Sequence, residues 1–195
     1  METIGSRYAT EWQRGSDNVL MVKGDSTMPE RSVVHATIVE ERLYDASRMR
    51  VFAAWADPTA HGSWHVPGGD WTIAEAEHDF RPGGREYSRF GPPGEPMCHS
   101  EGRFEDIVPD VRIVSAGSMH SNGKRTSSTL CTVELLPNGS GTRLILTDQS
   151  AFFDGRETPA DREQGWGTIL DKLSGALRLA PDVAQRPTQK DPHRG

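Results

Sequence analysis

Little in this chain speaks for an oxidising compartment, a membrane or a nucleic acid. Only two cysteines occur in 195 residues, Cys98 and Cys131, and neither sits in a C-x-x-C arrangement. A disulfide framework or a zinc knuckle is therefore not expected. No apolar run approaches the ~20 residues of a membrane helix, and the first residues lack the apolar h-region of a secretory signal. A cytoplasmic protein with no membrane partner is the expectation. An excess of positive charge is missing too: 22 Lys and Arg stand against 28 Asp and Glu, for a formal net charge of −6. The cations are scattered beside acids, as in Glu40-Glu41-Arg42 and Asp161-Arg162-Glu163. Phosphate recognition needs a clustered basic face, so no nucleic-acid partner is expected. Signatures of covalent and nucleotide chemistry are also scarce. There is no G-x-S-x-G elbow, and Gly139-Ser140-Gly141 lacks the strand-to-helix setting of a phosphate loop.

What is present is a legible order of elements. Residues 1–31 are polar and without apolar period, which reads as an N-terminal extension. Residues 181–195 hold three prolines and almost nothing apolar and read as a tail. Residues 32–180 are left as one domain. Within it, Val33 to Tyr44 alternates like a strand. Asp45 is the expected cap of a helix whose stripe is Met49, Phe52, Ala53 and Ala56, and Asp57-Pro58 opens a second, short helix. Hairpins follow, with strands at 71–80, 85–90, 97–108, 112–120, 125–136 and 142–149. They are punctuated by Pro82-Gly83-Gly84, Gly91-Pro92-Pro93-Gly94, Asn122-Gly123 and Asn138-Gly139. After Pro159 the period changes. Trp166, Ile169, Leu170, Leu173, Ala176 and Leu177 recur at three- and four-residue steps, as on an amphipathic helix. A meander with one apolar face needs a cover, and this long helix is the available one. The expected fold is α+β: a curved antiparallel sheet of about seven strands, two short helices and a long C-terminal helix enclosing a cavity.

Strand alternation nominates residues that face that cavity. Val133, Leu135, Leu144 and Leu146 are the apolar sets of the last two strands, and their parity turns Thr129, Cys131 and Asp148 inward. The parity of Ile113 and Met119 turns Ser115 and Gly117 inward. Ala74, Ala76, His78 and Phe80 share one face. Cys131 lies among Thr, Val and Leu and reads as a small core residue, not as a nucleophile. His61 and His65 have the i, i+4 spacing of zinc ligands. The segment between them contains Gly62 and Ser63 and soon meets Pro67-Gly68-Gly69, so flanking a packed Trp64 is the preferred reading. No metal and no other cofactor is expected.

Six stretches carry a resemblance. They are Val51-Phe52-Ala53-Ala54-Trp55-Ala56-Asp57-Pro58, Asp79-Phe80-Arg81-Pro82-Gly83-Gly84, Asp106-Ile107-Val108-Pro109, Thr132-Val133-Glu134, Gly141-Thr142-Arg143-Leu144 and Gly165-Trp166. In this order and spacing the chain resembles the SRPBCC superfamily of START and Bet v 1-like helix-grip domains, which includes lipid-transfer domains and polyketide cyclases. Within it, the chain is similar to bacterial homologues of the C-terminal domain of the heat-shock-protein-90 ATPase activator, a group with the calicheamicin-resistance protein. The resemblance covers residues 33–178 and brings no universal catalytic motif. By analogy with relatives, Glu86, Ser88 and Phe90 continue the face of His78.

The implied function is binding of a small hydrophobic or aromatic ligand between sheet and helix. Trp64, Phe80, Phe90, Met119 and Trp166 would be its walls, and His78 and Glu86 its orienting polar pair. One alternative is a cyclase or isomerase using His78 or Glu86 as acid/base. Another is a chaperone-interacting module working through its surface. Room is left for a homodimer.

Overall fold

The computed structural model describes residues 32–179. The expectations of an extension over 1–31 and a tail over 181–195 lie outside the described residues. Ten elements follow in the order β1 (Val33–Tyr44), α1 (Arg48–Ala56), α2 (Pro58–Trp64), β2 (Thr72–His78), β3 (Arg85–Gly91), β4 (Cys98–Val108), β5 (Arg112–Ser121), β6 (Lys124–Asn138), β7 (Gly141–Phe153) and α3 (Pro159–Leu179). The strands make one antiparallel sheet in the order β1-β7-β6-β5-β4-β3-β2. β2 to β7 form a meander, and β1 returns to pair with β7 from Val33↔Phe153 to Tyr44↔Thr142.

Local chemistry accounts for the boundaries. Asp57 caps α2 by accepting from Ala60 N at 2.7 Å, with Pro58 at the first helical position. At α1 the expected cap is displaced: Ser47, not Asp45, accepts from Arg50 N. The expected stripe of that helix is also rotated. Met49 and Ala53 are exposed, whereas Val51 and Trp55 are buried. α1 is hemmed in by α2, β6, β7 and α3, so both of its ends contribute to the core, and a short helix has too few turns to show its period. Between β2 and β3, Gly83 adopts φ +79°. A Cβ on Gly84 would lie 1.9 Å from the Asp79 carbonyl oxygen. This turn is tied to β4, because Gly83 N donates to Phe104 O at 2.7 Å and Phe104 N to Gly84 O at 3.0 Å. The two glycines of this turn are therefore a backbone requirement.

α3 lies across the sheet and closes the core. Leu170 and Leu173 are fully buried, and Ile169 and Leu177 nearly so. They share one cluster with Leu135, Leu144, Leu146, Val133, Phe104 and Trp64. Each such side chain contributes about 1.5–3 kcal/mol of transfer free energy. Tyr44 Oη donates to Leu170 O at 3.1 Å, and Lys172 Nζ donates to Val66 O at 2.9 Å and also to Gly68 O. The helix is thus pinned to β1 on one side and to the segment after α2 on the other. Among the described residues no helix is long and apolar enough to cross a membrane.

Candidate functional site

A cavity of about 370 Å³ lies between the concave face of the sheet and α3. That is within the usual range for small-molecule sites. Its aromatic boundary is Trp55, Trp71, Phe90, Phe104 and Trp166, with Met119, Ile113, Val133 and Ile169 completing the apolar part. Small residues give it depth. Gly102 pairs with Gly117 across β4 and β5, next to the Ser100–Met119 and Phe104–Ser115 pairs. Ser88 Oγ and Ser100 Oγ are hydrogen-bonded at 2.8 Å.

Of the residues nominated from sequence, Glu86, Phe90, Ser115, Gly117, Met119, Cys131, Asp148 and Trp166 line this space. Three others do not. Trp64 is 1% exposed and belongs to the core, with its ring edge-on to Trp55 at 4.9 Å and its Nε1 bonded to Ala54 O. Phe80 packs edge-on against Phe104 and Phe52, beneath the wall. His78 lies directly across from Glu86 in the β2–β3 ladder, but its Nε2 is bonded to Trp55 O at 2.9 Å, which draws the ring under α1. A bulge between Ile73 and Glu75 also changes the early parity of β2: Ile73, not Ala74, pairs with inward Phe90.

Asp148 lines the cavity but has no spare oxygen for a ligand. It is fully buried and accepts from Arg162 Nη1 at 3.0 Å, from Trp166 Nε1 at 2.8 Å and from Ser150 Oγ. Arg162 in turn donates to Glu157 at 2.7 Å, Ser127 at 2.6 Å and Thr129 at 3.1 Å. Its side chain is 10% exposed. Among the scattered cations of the sequence nothing marks Arg162 for this role, although it lies one turn before Trp166 on the same face of α3. Cys131 is buried, and burial, reinforced by the charges of Asp148 and Glu86, drives its thiol pKa far up, so it is wall and not nucleophile.

Glu86 differs from these two acids. It accepts no hydrogen bond from any described residue and is 3.7 Å from both His61 Nε2 and His78 Nδ1. Burial raises its pKa from the ordinary 4.5 to about 7. Burial also lowers the pKa of His61 and His78, and takes His65 to about 4. A close ion pair would shift acid and base the other way, towards their charged forms. At 3.7 Å desolvation outweighs the attraction, and each group is pushed towards its neutral form. His61 stacks between His65 and His78, at ring centroid distances of 4.2 and 4.4 Å. His61, His78 and Glu86 form one of two clusters among the described residues with metal-ligand chemistry. The sequence pairing of His61 with His65 is replaced by His61 with His78. The second cluster is His99, Glu101 and His120, at the alternate positions of β4 and β5. There Arg125 already donates to His120 and approaches Glu101 at 4.0 Å.

The comparisons with known proteins match this geometry to a family. Residues 45–178 match the family model described as "Activator of Hsp90 ATPase homolog 1-like protein". The chain belongs to this family. Among solved members of the helix-grip fold, the Mll3558 protein from Rhizobium loti is 44% identical, with 75% of this chain and 99% of that one covered at a TM-score of 0.68. A protein from Rhizobium leguminosarum is 35% identical over 77% of this chain and 99% of its own, at a TM-score of 0.70. Protein CV1439 from Chromobacterium violaceum is 26% identical over 75% and 98%, at 0.65. A search of the curated proteins finds no match. The Hsp90-activator-like family assignment covers the sheet from β2 to β7 and all three helices, and hence every wall of the cavity.

Proposed function

We propose that this Hsp90-activator-like domain binds one small hydrophobic or aromatic molecule in the cavity between sheet and α3. The observation that carries this reading is the cavity itself: about 370 Å³ bounded mainly by aromatic and aliphatic side chains. At its edge the Glu86 carboxyl has no hydrogen-bond partner among the described residues. Apolar walls supply affinity and a few polar groups supply orientation, the usual division in ligand sites. The cyclase or isomerase reading has less support. It needs His78 and Glu86 at one ligand position, and His78 does not line the cavity. The chaperone reading needs a contiguous apolar surface. On β1 the exposed Val39 and Leu43 flank Glu41, which is bound to Arg143 at 2.7 Å.

Two measurements test the proposal. Native mass spectrometry of freshly purified protein should show a co-purified small molecule. The neutral aromatic dye N-phenyl-1-naphthylamine should bind saturably, with enhanced fluorescence. Absence of both would remove the cavity as a ligand site.

A further inference from the structure

His61 Nε2, His78 Nδ1 and a Glu86 carboxyl oxygen converge behind one wall of the cavity, and of these three residues Glu86 lines it. His78 Nε2 is 2.9 Å from Trp55 O, which assigns the ring's proton to that nitrogen and leaves the lone pair at Nδ1. Nδ1 faces Glu86 Oε1, as does His61 Nε2, each at 3.7 Å. Both nitrogens are buried without a hydrogen-bond partner among the described residues, and His61 is 7% exposed. Nothing among the described residues ties the proton of His61 to Nε2, so this atom can present its lone pair as well. The three atoms lie within 4.8 Å of one another. Once Glu86 is ionised, acceptors face acceptors in an interior of low dielectric, which is unfavourable until a proton or a cation joins them.

Ring geometry discriminates between two kinds of cation. A divalent metal takes bonds of about 2.0–2.1 Å along each lone pair, with tetrahedral ligand atoms roughly 3.4 Å apart. The rings of His61 and His78 are stacked at 4.4 Å with 21° between their planes. Their in-plane lone pairs run side by side and do not meet at one point. A primary ammonium group is less demanding. Its three N–H groups reach acceptors at about 2.8–3.0 Å and tolerate bending, so they span acceptors roughly 4.7 Å apart. Glu86 opens on the cavity, whose wall includes the aromatic rings of Trp55 and Phe104. Of the other acids of the cavity wall, Asp148 and Glu157 are matched by Arg162, Asp161 accepts from Thr158, and Glu101 lies 4.0 Å from Arg125.

We infer that the cavity is selective for aromatic primary amines, whose ammonium group binds Glu86 where this carboxyl opens on the cavity, with the unpartnered nitrogens of His61 and His78 behind it. This rests on the reading of the cavity as a ligand site and names the class of ligand. An ammonium beside Glu86 stabilises the carboxylate, so near pH 6.5 binding should release a proton.

The test is displacement of N-phenyl-1-naphthylamine by tryptamine, tryptophol and 3-ethylindole, which share a ring and differ in an ammonium, a hydroxyl and a methyl group. Tryptamine should displace the dye at a concentration lower by at least about tenfold, the value of one charge-assisted hydrogen bond. Glu86→Gln should abolish that advantage and leave 3-ethylindole unchanged. If circular dichroism shows that Glu86→Gln does not fold, the wild type decides alone: calorimetry of tryptamine at pH 6.5, in buffers of different ionisation enthalpy, should register proton release. Equal displacement by the three compounds overturns the inference and leaves the cavity reading standing. The same holds if the advantage survives in Glu86→Gln, if the dye binds and none displaces it, or if no proton is released. ZnCl2 alone raising the melting temperature of wild type but not of His61→Ala would assign the site to a metal instead. A dye that does not bind at all overturns the cavity reading, and this inference with it.

Discussion

Glu86 makes the stability of this domain depend on pH in an unusual direction for an acid. Its folded pKa of about 7 lies above the ordinary 4.5, so between those values the folded state holds a proton that the unfolded state has lost. Stability from this group is complete below about pH 4.5 and falls as pH rises to 7, by at most about 3 kcal/mol. The buried histidines act oppositely. Their folded pKa values lie below 6.5, so they cost stability as pH falls from 6.5 towards 4. Replacing Glu86 isolates its share: the melting temperature of Glu86→Gln relative to wild type should rise from pH 5 to about pH 7 and level off above that. A difference independent of pH would mean that the carboxyl titrates normally. Asp148 and Arg162 are a second case at this scale. Asp148→Asn removes one of the two charge partners of the buried Arg162, Glu157 remaining, and should cost about 1–3 kcal/mol in denaturant unfolding. Replacing both with apolar residues should cost much less. Alternation along β7 was enough to turn Asp148 inward. That its partner would be Arg162 was not legible, because a single Arg between two acids looks the same whether it faces water or a cavity.

The helices show where periodicity is informative and where it fails. α3 has enough turns for its stripe to be read directly, and the buried set Ile169, Leu170, Leu173 and Leu177 follows from it. Leu170→Ala should therefore cost about 2–5 kcal/mol, by the loss of a fully buried side chain and the space it leaves. Trp166, on the same stripe, is only half-buried because it borders the cavity. Trp166→Phe should cost about 1–2 kcal/mol, most of it from the lost Nε1–H···Asp148 bond, and should shift ligand affinity more than stability. A loss comparable to that of Leu170→Ala would place the indole in the core. In α1, nine residues were too few to fix a face, and Ser47 and Asp45 were equally good capping residues by type. The meander was legible because its turns are chemically marked, at Asn122-Gly123 and Asn138-Gly139 as at Pro82-Gly83-Gly84. The Ile73–Glu75 bulge was not, since nothing in Thr72-Ile-Ala-Glu-Ala-Glu-His78 marks the extra residue.

For the molecule as a whole, a ligand that binds only the folded domain adds RT ln(1 + [L]/Kd), about 2.7 kcal/mol at a hundredfold excess over Kd. A compound that displaces the dye should therefore raise the melting temperature in proportion to the logarithm of its concentration. The overall architecture was recoverable because turns, strand alternation and the long helix agree. The identity of the cavity's polar groups was less so, because it depends on contacts between elements far apart in sequence. One such contact has a kinetic consequence. The sheet is assembled from hairpins between neighbouring strands, except for β1, which must find β7 across the intervening residues 45–140. Closing a loop of that length is entropically costly and yields nothing until the ladder forms. The β1–β7 seam should accordingly be absent from the folding transition state and be the first part of the sheet to open. Ile38→Val, at a buried position of β1 opposite Asp148, should thus speed unfolding by the full ~0.5–1.5 kcal/mol it removes and leave the refolding rate unchanged. The durability of the folded domain would then be set by the one pairing that joins its first strand to its last.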